Sequence, residues 1–304
     1  MRADVLAALR RRPRRLSSKY FYDAEGSALF EQICRQPEYY LTRAELALMR
    51  AHVDAIARSV GPDALLVEYG SGSGIKTRML LEHLQSPVAY TPVEISRTAL
   101  AASVDRLRED FPDIEMLPVC ADFTRPLVLP EPRRRPRRRV IYFPGSTIGN
   151  FESHAAIDLL RHMHAEMGDH GAALVGVDLV KDPAVLEAAY NDAAGITARF
   201  TLNMLAHFNR ALDADFDLDA FAHHAHYNPM AERIETSIVS QRDQDVQVAG
   251  EGFHFDAEES LQVEYSCKYS QASFARLVAH AGLRVVDTWT DPEGLFSVQL
   301  LERD

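Results

Sequence analysis

Cysteine is scarce in this chain of 304 residues: Cys34, Cys120 and Cys267 stand far apart and are odd in number. They match neither a disulfide framework nor a zinc spacing, so free thiols in a reducing compartment are expected. Long hydrophobic runs are missing too. No apolar stretch approaches the ~20 residues that cross a bilayer. The amino end carries arginines but no apolar h-region, so no secretory signal is expected and the setting is read as cytoplasmic, without membrane contact. No G-x-S-x-G elbow occurs. The phosphate loop G-x-x-x-x-G-K-[ST] is absent as well, because Lys76-Thr77 follows Gly74 by a single residue and leaves no room to cradle phosphates. Among the histidines, His223 and His226 fall on opposite faces of an extended segment, and His162 and His164 do not face each other on a helix. No metal is expected.

Positive charge is scarce overall, with a net charge of −11, yet it is concentrated. Arg10, Arg11, Arg12, Arg14 and Arg15 form one run, and Arg133, Arg134, Arg135, Arg137, Arg138 and Arg139 a second; together they hold eleven of the 33 basic residues. Such runs can hold nucleic acid. Without interleaved aromatics or a known module, they read instead as a frayed terminus and a solvated loop, broken by Pro13 and Pro136.

Apolar content is ample: hydrophobic residues make up 47 % and charged residues 25 %, so one large or two intimate domains with a sizeable core are expected. Apolar runs at 64–69, 88–93, 114–120, 139–143 and 173–179 alternate with helical patterns near 75–84, 96–109 and 153–166. That rhythm predicts an α/β fold with a doubly wound, mostly parallel sheet. Upstream, Thr42 and Glu45 have the spacing of a capping box. After Tyr190 a helical stretch to about Leu212 precedes extended segments between 219 and 267. A helix near 271–281 and two runs around the Asp291-Pro292-Glu293-Gly294 turn predict a closing hairpin. A smaller helix-plus-strand domain inserted into the core is the simplest arrangement, with no internal repeats.

The most specific stretch is Leu65-Leu66-Val67-Glu68-Tyr69-Gly70-Ser71-Gly72-Ser73-Gly74. It reads as a buried strand, a glycine turn and the start of a helix, a unit whose exposed N–H groups let a nucleotide approach. The spacing is G-x-G-x-G, without the sixth-position glycine of the dinucleotide fingerprint. Glu94 ends the next run, about where an acid accepts from ribose hydroxyls. These features favour a nucleoside cofactor without a pyrophosphate, S-adenosylmethionine first. Asp122 follows the third run and is placed to accept from an adenine amino group, with Phe123 to pack on the ring; the plain alternative is a turn aspartate. After the fourth run, Gly145, Ser146, Thr147, Gly149 and Asn150 offer turn geometry and hydrogen bonds where a substrate would face the cofactor.

Four segments then resemble a known family: Lys19-Tyr20-Phe21-Tyr22-Asp23-Ala24-Glu25-Gly26-Ser27-Ala28-Leu29-Phe30, Pro37-Glu38-Tyr39-Tyr40-Leu41-Thr42-Arg43, Phe143-Pro144-Gly145-Ser146-Thr147-Ile148-Gly149-Asn150-Phe151, and Glu264-Tyr265-Ser266-Cys267-Lys268-Tyr269. They are similar to the histidine-specific methyltransferases of ergothioneine biosynthesis. The resemblance implies transfer of three methyl groups from S-adenosylmethionine to the α-amino group of L-histidine, giving trimethylhistidine (hercynine). It implies a class I methyltransferase (Rossmann-like) core over 60–190 and 268–304, and a smaller α+β substrate-binding domain over 16–59 and 191–267. By the same resemblance Tyr22, Gly70, Lys76, Glu94, Asp122 and Phe123 hold the cofactor, and the glycine turn adds Gly72. Tyr39, Gly145, Asn150 and Tyr190 hold the amino acid's backbone end, and Glu264 and Ser266 read the imidazole. Tyr22 and Tyr39 are the residues expected to order the amine or a water that takes its proton. Thr236 stands where the family often has a methionine lining the side-chain pocket. The competing readings are an N-methyltransferase for another amino acid, such as tryptophan, or for an aromatic amine, and a nucleic-acid-binding or regulatory protein using the arginine runs. A monomer acting on a small amino-acid substrate is expected.

Overall fold

The computed structural model describes every residue except Ser73. Helices α1 (Arg2–Leu9) and α2 (Ala24–Ile33) come first, followed by the long α3 (Tyr40–Val60). Strands and helices then alternate through β1 (Ala64–Tyr69), α4 (Ile75–His83), β2 (Ala89–Glu94), α5 (Arg97–Asp110), β3 (Glu115–Met116), β4 (Val119–Cys120), β5 (Arg138–Phe143), α6 (Ser153–Met167) and β6 (Ala172–Asp178). Helices α7 (Pro183–Tyr190) and α8 (Ile196–Leu212) lead into β7 (Phe221–Asn228), β8 (Arg233–Ser240), β9 (Gln244–Val248), β10 (Glu251–Phe255) and β11 (Ser260–Cys267). The chain ends with α9 (Gln271–Ala279), β12 (Leu283–Thr290) and β13 (Phe296–Arg303). Among the described residues no helix is long and apolar enough to cross a membrane.

The chain separates into two compact units, Leu41–Val180 with Lys268–Asp304, and Met1–Tyr40 with Lys181–Cys267. The larger holds a sheet of order β12-β13-β6-β5-β1-β2-β3, with β4 also paired to β2. β1 lies parallel to both β2 and β5, and every residue of β1 is buried. The order turns around at β1, which places a crevice beyond the carboxyl ends of β1 and β5. The doubly wound α/β expectation holds. The terminal hairpin is present as well, with β13 antiparallel to both β6 and β12. One run differs: 114–120 is not one strand but two short ones, β3 and β4, broken at Leu117-Pro118. Pro118 has no N–H to give the ladder, so pairing with β2 lapses there and resumes at Val119.

The smaller unit pairs β11-β8-β7 in one antiparallel sheet and β10-β9 in another. Phe21, Phe200, Met204, Phe208, Ile238, Phe253, Phe255 and Leu261 belong to its buried core. The first arginine run is part of this unit and is not frayed. Arg14 is only 4 % exposed; it donates to Leu9 O, pairs with Glu259 at 3.1 Å and lies 4.0 Å over the Phe255 ring. Arg10 binds Glu251 through two nitrogens at 2.8 and 2.5 Å, and Arg12 pairs with Glu259. Arg15 and Arg233 both stack on Tyr265, at 4.4 and 3.6 Å. The second run is matched by acids as well: Arg133 with Glu115, Arg134 with Asp63, Arg138 with Glu302 and Arg139 with Glu131. Of these arginines Arg14 is buried, whereas Arg10, Arg12, Arg133 and Arg134 pair at the surface.

The unit boundaries depart from 60–190 and 16–59 in three places, the first being that residues 1–15 group with the smaller unit. Residues 41–59 group with the sheet, because α3 sends Glu45 to Lys76 and to the Gly145 N–H. Residues 181–190 group with the smaller unit, because α7 is tied to β7: Glu187 accepts from the Tyr227 N–H at 2.9 Å, and the Tyr190 carbonyl from His223 at 2.9 Å.

Candidate functional site

The larger unit carries eight of the predicted site residues: Gly70, Gly72, Lys76, Glu94, Asp122, Phe123, Gly145 and Asn150. Gly70 and Gly72 leave β1 with φ of +76° and +44°, angles that favour glycine over any residue with a Cβ. The Gly70 N–H donates to Val93 O at 2.9 Å, which ties the turn to the end of β2. Glu94 closes β2, half-buried, with Oε1 accepting from the Ser96 N–H at 3.1 Å. Among the described residues its Oε2 has no hydrogen bond, so a carboxylate oxygen is available to a diol. Ser73, inside the glycine motif, lies outside the described residues.

Asp122 forms the plain turn that its position allowed, with Oδ1 accepting from Thr124 N at 3.0 Å and Thr124 Oγ1 at 2.6 Å. Phe123 stacks on Tyr69 with centroids 5.4 Å apart and meets Phe143 edge-on at 5.5 Å. A Cβ at Gly70 would lie 3.9 Å from the Phe123 ring. An aromatic wall thus stands beside the glycine turn. Phe123 is half-buried and retains surface for a flat ring, while Tyr69 and Phe143 behind it are fully buried.

Beyond β5, Gly145 has φ of +76° and Ser146 is left-handed at +56°. A 3-10 turn over Thr147–Asn150 follows, with Asn150 half-buried at its end. Ser146 Oγ accepts from the Asp178 N–H at 2.9 Å. Asp178 is in turn paired with Lys268 at 2.7 Å, both side chains fully buried. Lys268 and Tyr269 thus brace the strand ends: the Tyr269 N–H donates to Asp178 O at 3.0 Å. Lys76, on the first turn of α4, is held by Glu45 at 2.5 Å. Glu45 is therefore not the third member of a capping box. α3 begins at Tyr40, Thr42 lies inside it, and the Glu45 carboxylate turns to Lys76 and Gly145 instead.

A second acid was missed from the sequence. Glu68 on β1 is 1 % exposed and accepts from Thr77 Oγ1 at 2.7 and 2.8 Å and from the Tyr90 hydroxyl. Burial raises its pKa to about 7, against the hydrogen bonds from Tyr90 and Thr77, which lower it. Its one visible signal was a charge inside an otherwise apolar run.

The smaller unit carries Tyr22, Tyr39, Tyr190, Glu264 and Ser266. The Tyr190 hydroxyl donates to Ser266 Oγ at 2.6 Å in a buried pair. Tyr39 lies 6.3 Å from the Tyr190 ring and 6.3 Å from Phe30, and Tyr22 is 5.7 Å from both Phe30 and Phe200. Burial, then the neighbouring Tyr190, Cys34, Tyr22 and Glu264, push the Tyr39 phenol well above its ordinary range, so it remains a neutral donor. Glu264 and Ser266 share one face of β11, as their spacing predicted. A β-bulge between Gln262 and Glu264 sets that face, and Gln262 Nε2 bridges it by donating to Thr236 O at 2.9 Å and Glu264 O at 2.6 Å. Thr236 stands opposite Glu264 in the register, 1 % exposed, with no hydrogen-bond partner for its hydroxyl among the described residues.

His223 was read only as a non-ligand, and the structure gives it a role. Nε2 lies 2.9 Å from Tyr190 O and Nδ1 3.0 Å from Thr201 Oγ1. A carbonyl can only accept, so the ring proton sits on Nε2. Burial holds the His223 pKa below its ordinary value, which keeps the ring neutral. Elsewhere, Asp243, His254 and Asp256 bring ligand atoms within 4.8 Å of one another, all exposed, in a cluster of a kind common without an ion.

Comparison with known proteins agrees in one direction. The family profile described as "Histidine-specific methyltransferase, SAM-dependent" matches residues 1–303. A histidine N-alpha-methyltransferase of Mycobacterium tuberculosis (strain CDC 1551 / Oshkosh) is 40 % identical over 99 % of this chain and 94 % of its own length. Ergothioneine biosynthesis protein 1 of Neurospora crassa is 30 % identical over 91 % of this chain, which spans 32 % of that longer protein. A 4-dimethylallyltryptophan N-methyltransferase of Aspergillus fumigatus is 26 % identical over 95 % of this chain and 90 % of its own.

Proposed function

The chain belongs to the histidine-specific, S-adenosylmethionine-dependent methyltransferases, and we propose that it transfers three methyl groups to the α-amino nitrogen of L-histidine, giving trimethylhistidine (hercynine) for ergothioneine biosynthesis. The observation that carries the substrate is the polar face in an otherwise aromatic cluster: the buried Tyr190–Ser266 pair at 2.6 Å, Glu264 on the same face as Ser266, and the Thr236 hydroxyl in register with Glu264. Imidazole offers one ring N–H and one ring acceptor. Glu264 suits the first and the Ser266 hydroxyl the second. An indole or phenyl ring would leave at least one of them unanswered, which a site built from buried polar groups penalises.

The donor set suits the cofactor: a glycine turn at positive φ, an available Glu94 oxygen and the Phe123 wall. In this reading Gly70, Gly72, Lys76, Asp122 and Tyr22 complete the cofactor's contacts, with Glu94 on the ribose. When bound, S-adenosylmethionine supplies an electrophilic methyl group. The chain's task is to hold a neutral amine in line with it, and positioning is the main source of rate in such a displacement. Gly145, Asn150, Tyr39 and Tyr190 are assigned to the amino acid's backbone end. Tyr39, a neutral phenol, orders the amine or a water and is not itself the base; Tyr22 assists. The reading carries with it a monomeric chain in the cytoplasm, acting on a small molecule without a nucleic-acid partner.

The test is incubation with S-adenosylmethionine and each of the twenty amino acids, followed by mass analysis. Histidine should gain three methyl groups, and histamine, which lacks the carboxylate, should gain almost none. Equal methylation of histamine would refute the carboxylate contacts. Preference for tryptophan would favour the runner-up, to which the aromatic lining of Tyr22, Phe30, Tyr39 and Phe200 lends support.

A further inference from the structure

We propose that Glu45 is a positioning residue that couples cofactor binding to the 144–150 loop, through one buried carboxylate shared between Lys76 and the Gly145 N–H. The proposal rests on the functional reading above, in which Lys76 serves the cofactor and Gly145 the amino acid.

Glu45 is 0 % exposed. A carboxylate so placed must be answered by charge or hydrogen bonds. It has both: Lys76 Nζ at 2.5 Å on Oε2, and the Gly145 N–H at 2.9 Å on Oε1 and 3.1 Å on Oε2. The two donors belong to different functional segments, the helix that follows the glycine turn and the loop that follows β5. They also approach each other, since a Cβ on Gly145 would lie 3.5 Å from Lys76 Nζ.

Three further features fit a built device rather than a chance pair. Lys76 sits in the first turn of α4, where the helix's own positive end disfavours a cation. Its place there needs the counter-charge of Glu45. Gly176 on β6 makes the space: a Cβ there would lie 2.8 Å from Glu45 Oε1 and 3.1 Å from Gly145 N. Tyr142, on the strand leading into the loop, is 1 % exposed and has no hydrogen-bond partner for its hydroxyl among the described residues. Burial, with the Glu45 and Glu68 charges, keeps that hydroxyl neutral and able to donate.

The consequence is reciprocal. A ligand that draws on Lys76 weakens one of the two bonds to Glu45, and the carboxylate then leans on the Gly145 N–H. A ligand that fixes the 144–150 loop strengthens the Gly145 bond to the same carboxylate, which then holds Lys76 less and leaves it freer for the cofactor. Each ligand therefore tightens the other by the same factor. A pair that only pinned α3 to α4 would affect melting and leave that factor untouched.

Calorimetry reads the factor directly as the Kd for S-adenosylhomocysteine with and without saturating L-histidine. In the wild type, histidine should tighten S-adenosylhomocysteine by about 5-fold or more. In Glu45→Gln, which keeps the volume and an acceptor for Gly145 but loses the charge, the ratio should fall to within about 2-fold of unity, with S-adenosylhomocysteine still bound. Lys76→Met should lower the same ratio from the other side, with S-adenosylhomocysteine itself bound more weakly. Its side chain is 21 % exposed, so it carries the test should Glu45→Gln show no cooperative melt. A ratio as large in the folded variants as in the wild type overturns the proposal, and so does a wild-type ratio of one. Wild-type protein that binds no histidine at all overturns the functional reading and this proposal with it; an unchanged ratio overturns this proposal alone.

Discussion

Replacing Glu68 by Gln should change how stability depends on pH, in a direction and amount that the structure sets. Glu68 is buried at the end of β1, and its pKa is raised from 4.5 to about 7. A carboxyl raised on folding keeps its proton in the native chain at pH values where the unfolded chain has released it. Native protein then binds more protons than unfolded, and stability falls as pH rises. The contribution is full below pH 4.5, declines through the window to about 7, and is lost above it. At about 1.4 kcal/mol per unit, the loss amounts to ~3 kcal/mol across the window. For a chain of this size that is on the order of 5 °C in Tm.

Other groups titrate in the same range, so the wild-type curve alone decides nothing. His223 has its pKa lowered by burial, and a depressed histidine acts in the opposite sense: its contribution is present above the unfolded value and is lost as pH falls. The informative quantity is the difference between two proteins. Glu68→Gln keeps the volume and an acceptor for Thr77 and Tyr90 but has nothing to titrate. Tm measured by calorimetry at intervals from pH 4.5 to 8 should show the variant losing less stability than the wild type as pH rises, with the gap opening mostly between pH 5 and 7. Parallel curves would refute the reasoning and would mean that Glu68 is ionised in the native chain throughout.

Three further outcomes follow from the site. Glu264→Ala should weaken histidine binding by ~1–3 kcal/mol and narrow the kcat/KM preference for histidine over tryptophan and phenylalanine, and unchanged ratios would end its role in reading the imidazole. Tyr39→Phe should lower kcat without removing any limb of the kcat–pH profile below pH 10, because the buried phenol is not the group that titrates there; loss of the acidic limb, which is set by a group that must be deprotonated, would make Tyr39 the proton acceptor. Arg14→Ala, which removes the Phe255 stack and one partner of Glu259, should cost about 2–3 kcal/mol of stability by denaturant melts, while a cost near zero would return the amino-terminal run to the status of a solvated tail.

How much of this was legible depended on where a residue sits relative to a strand end. Gly70, Glu94, Asp122 and Gly145 could be placed at strand ends because apolar runs stop at or just before them, and the stops coincide with the carboxyl edge of the sheet. The alternation of runs and helical patterns likewise gave the doubly wound core and the closing hairpin. What stayed hidden was polar chemistry inside elements. Glu45 was taken for a helix cap because spacing along one helix says nothing about a lysine 31 positions away. Gln262 lay in a strand whose bulge no local pattern announces. His223 could be excluded as a metal ligand but not placed on the Tyr190 carbonyl, since that contact joins β7 to α7. The arginine run misled for a related reason. Sequence counts charge, whereas burial and pairing decide whether that charge is presented to a partner, and Glu251 and Glu259 lie more than 200 positions from the arginines they bind. Glu45, Glu68 and Arg14 are buried polar groups whose partners come from other segments, and such a group is costly to keep unless it is answered. A charge within an apolar run, as at Glu68, is thus the sign a sequence reader should follow inward, because the fold must supply its partner.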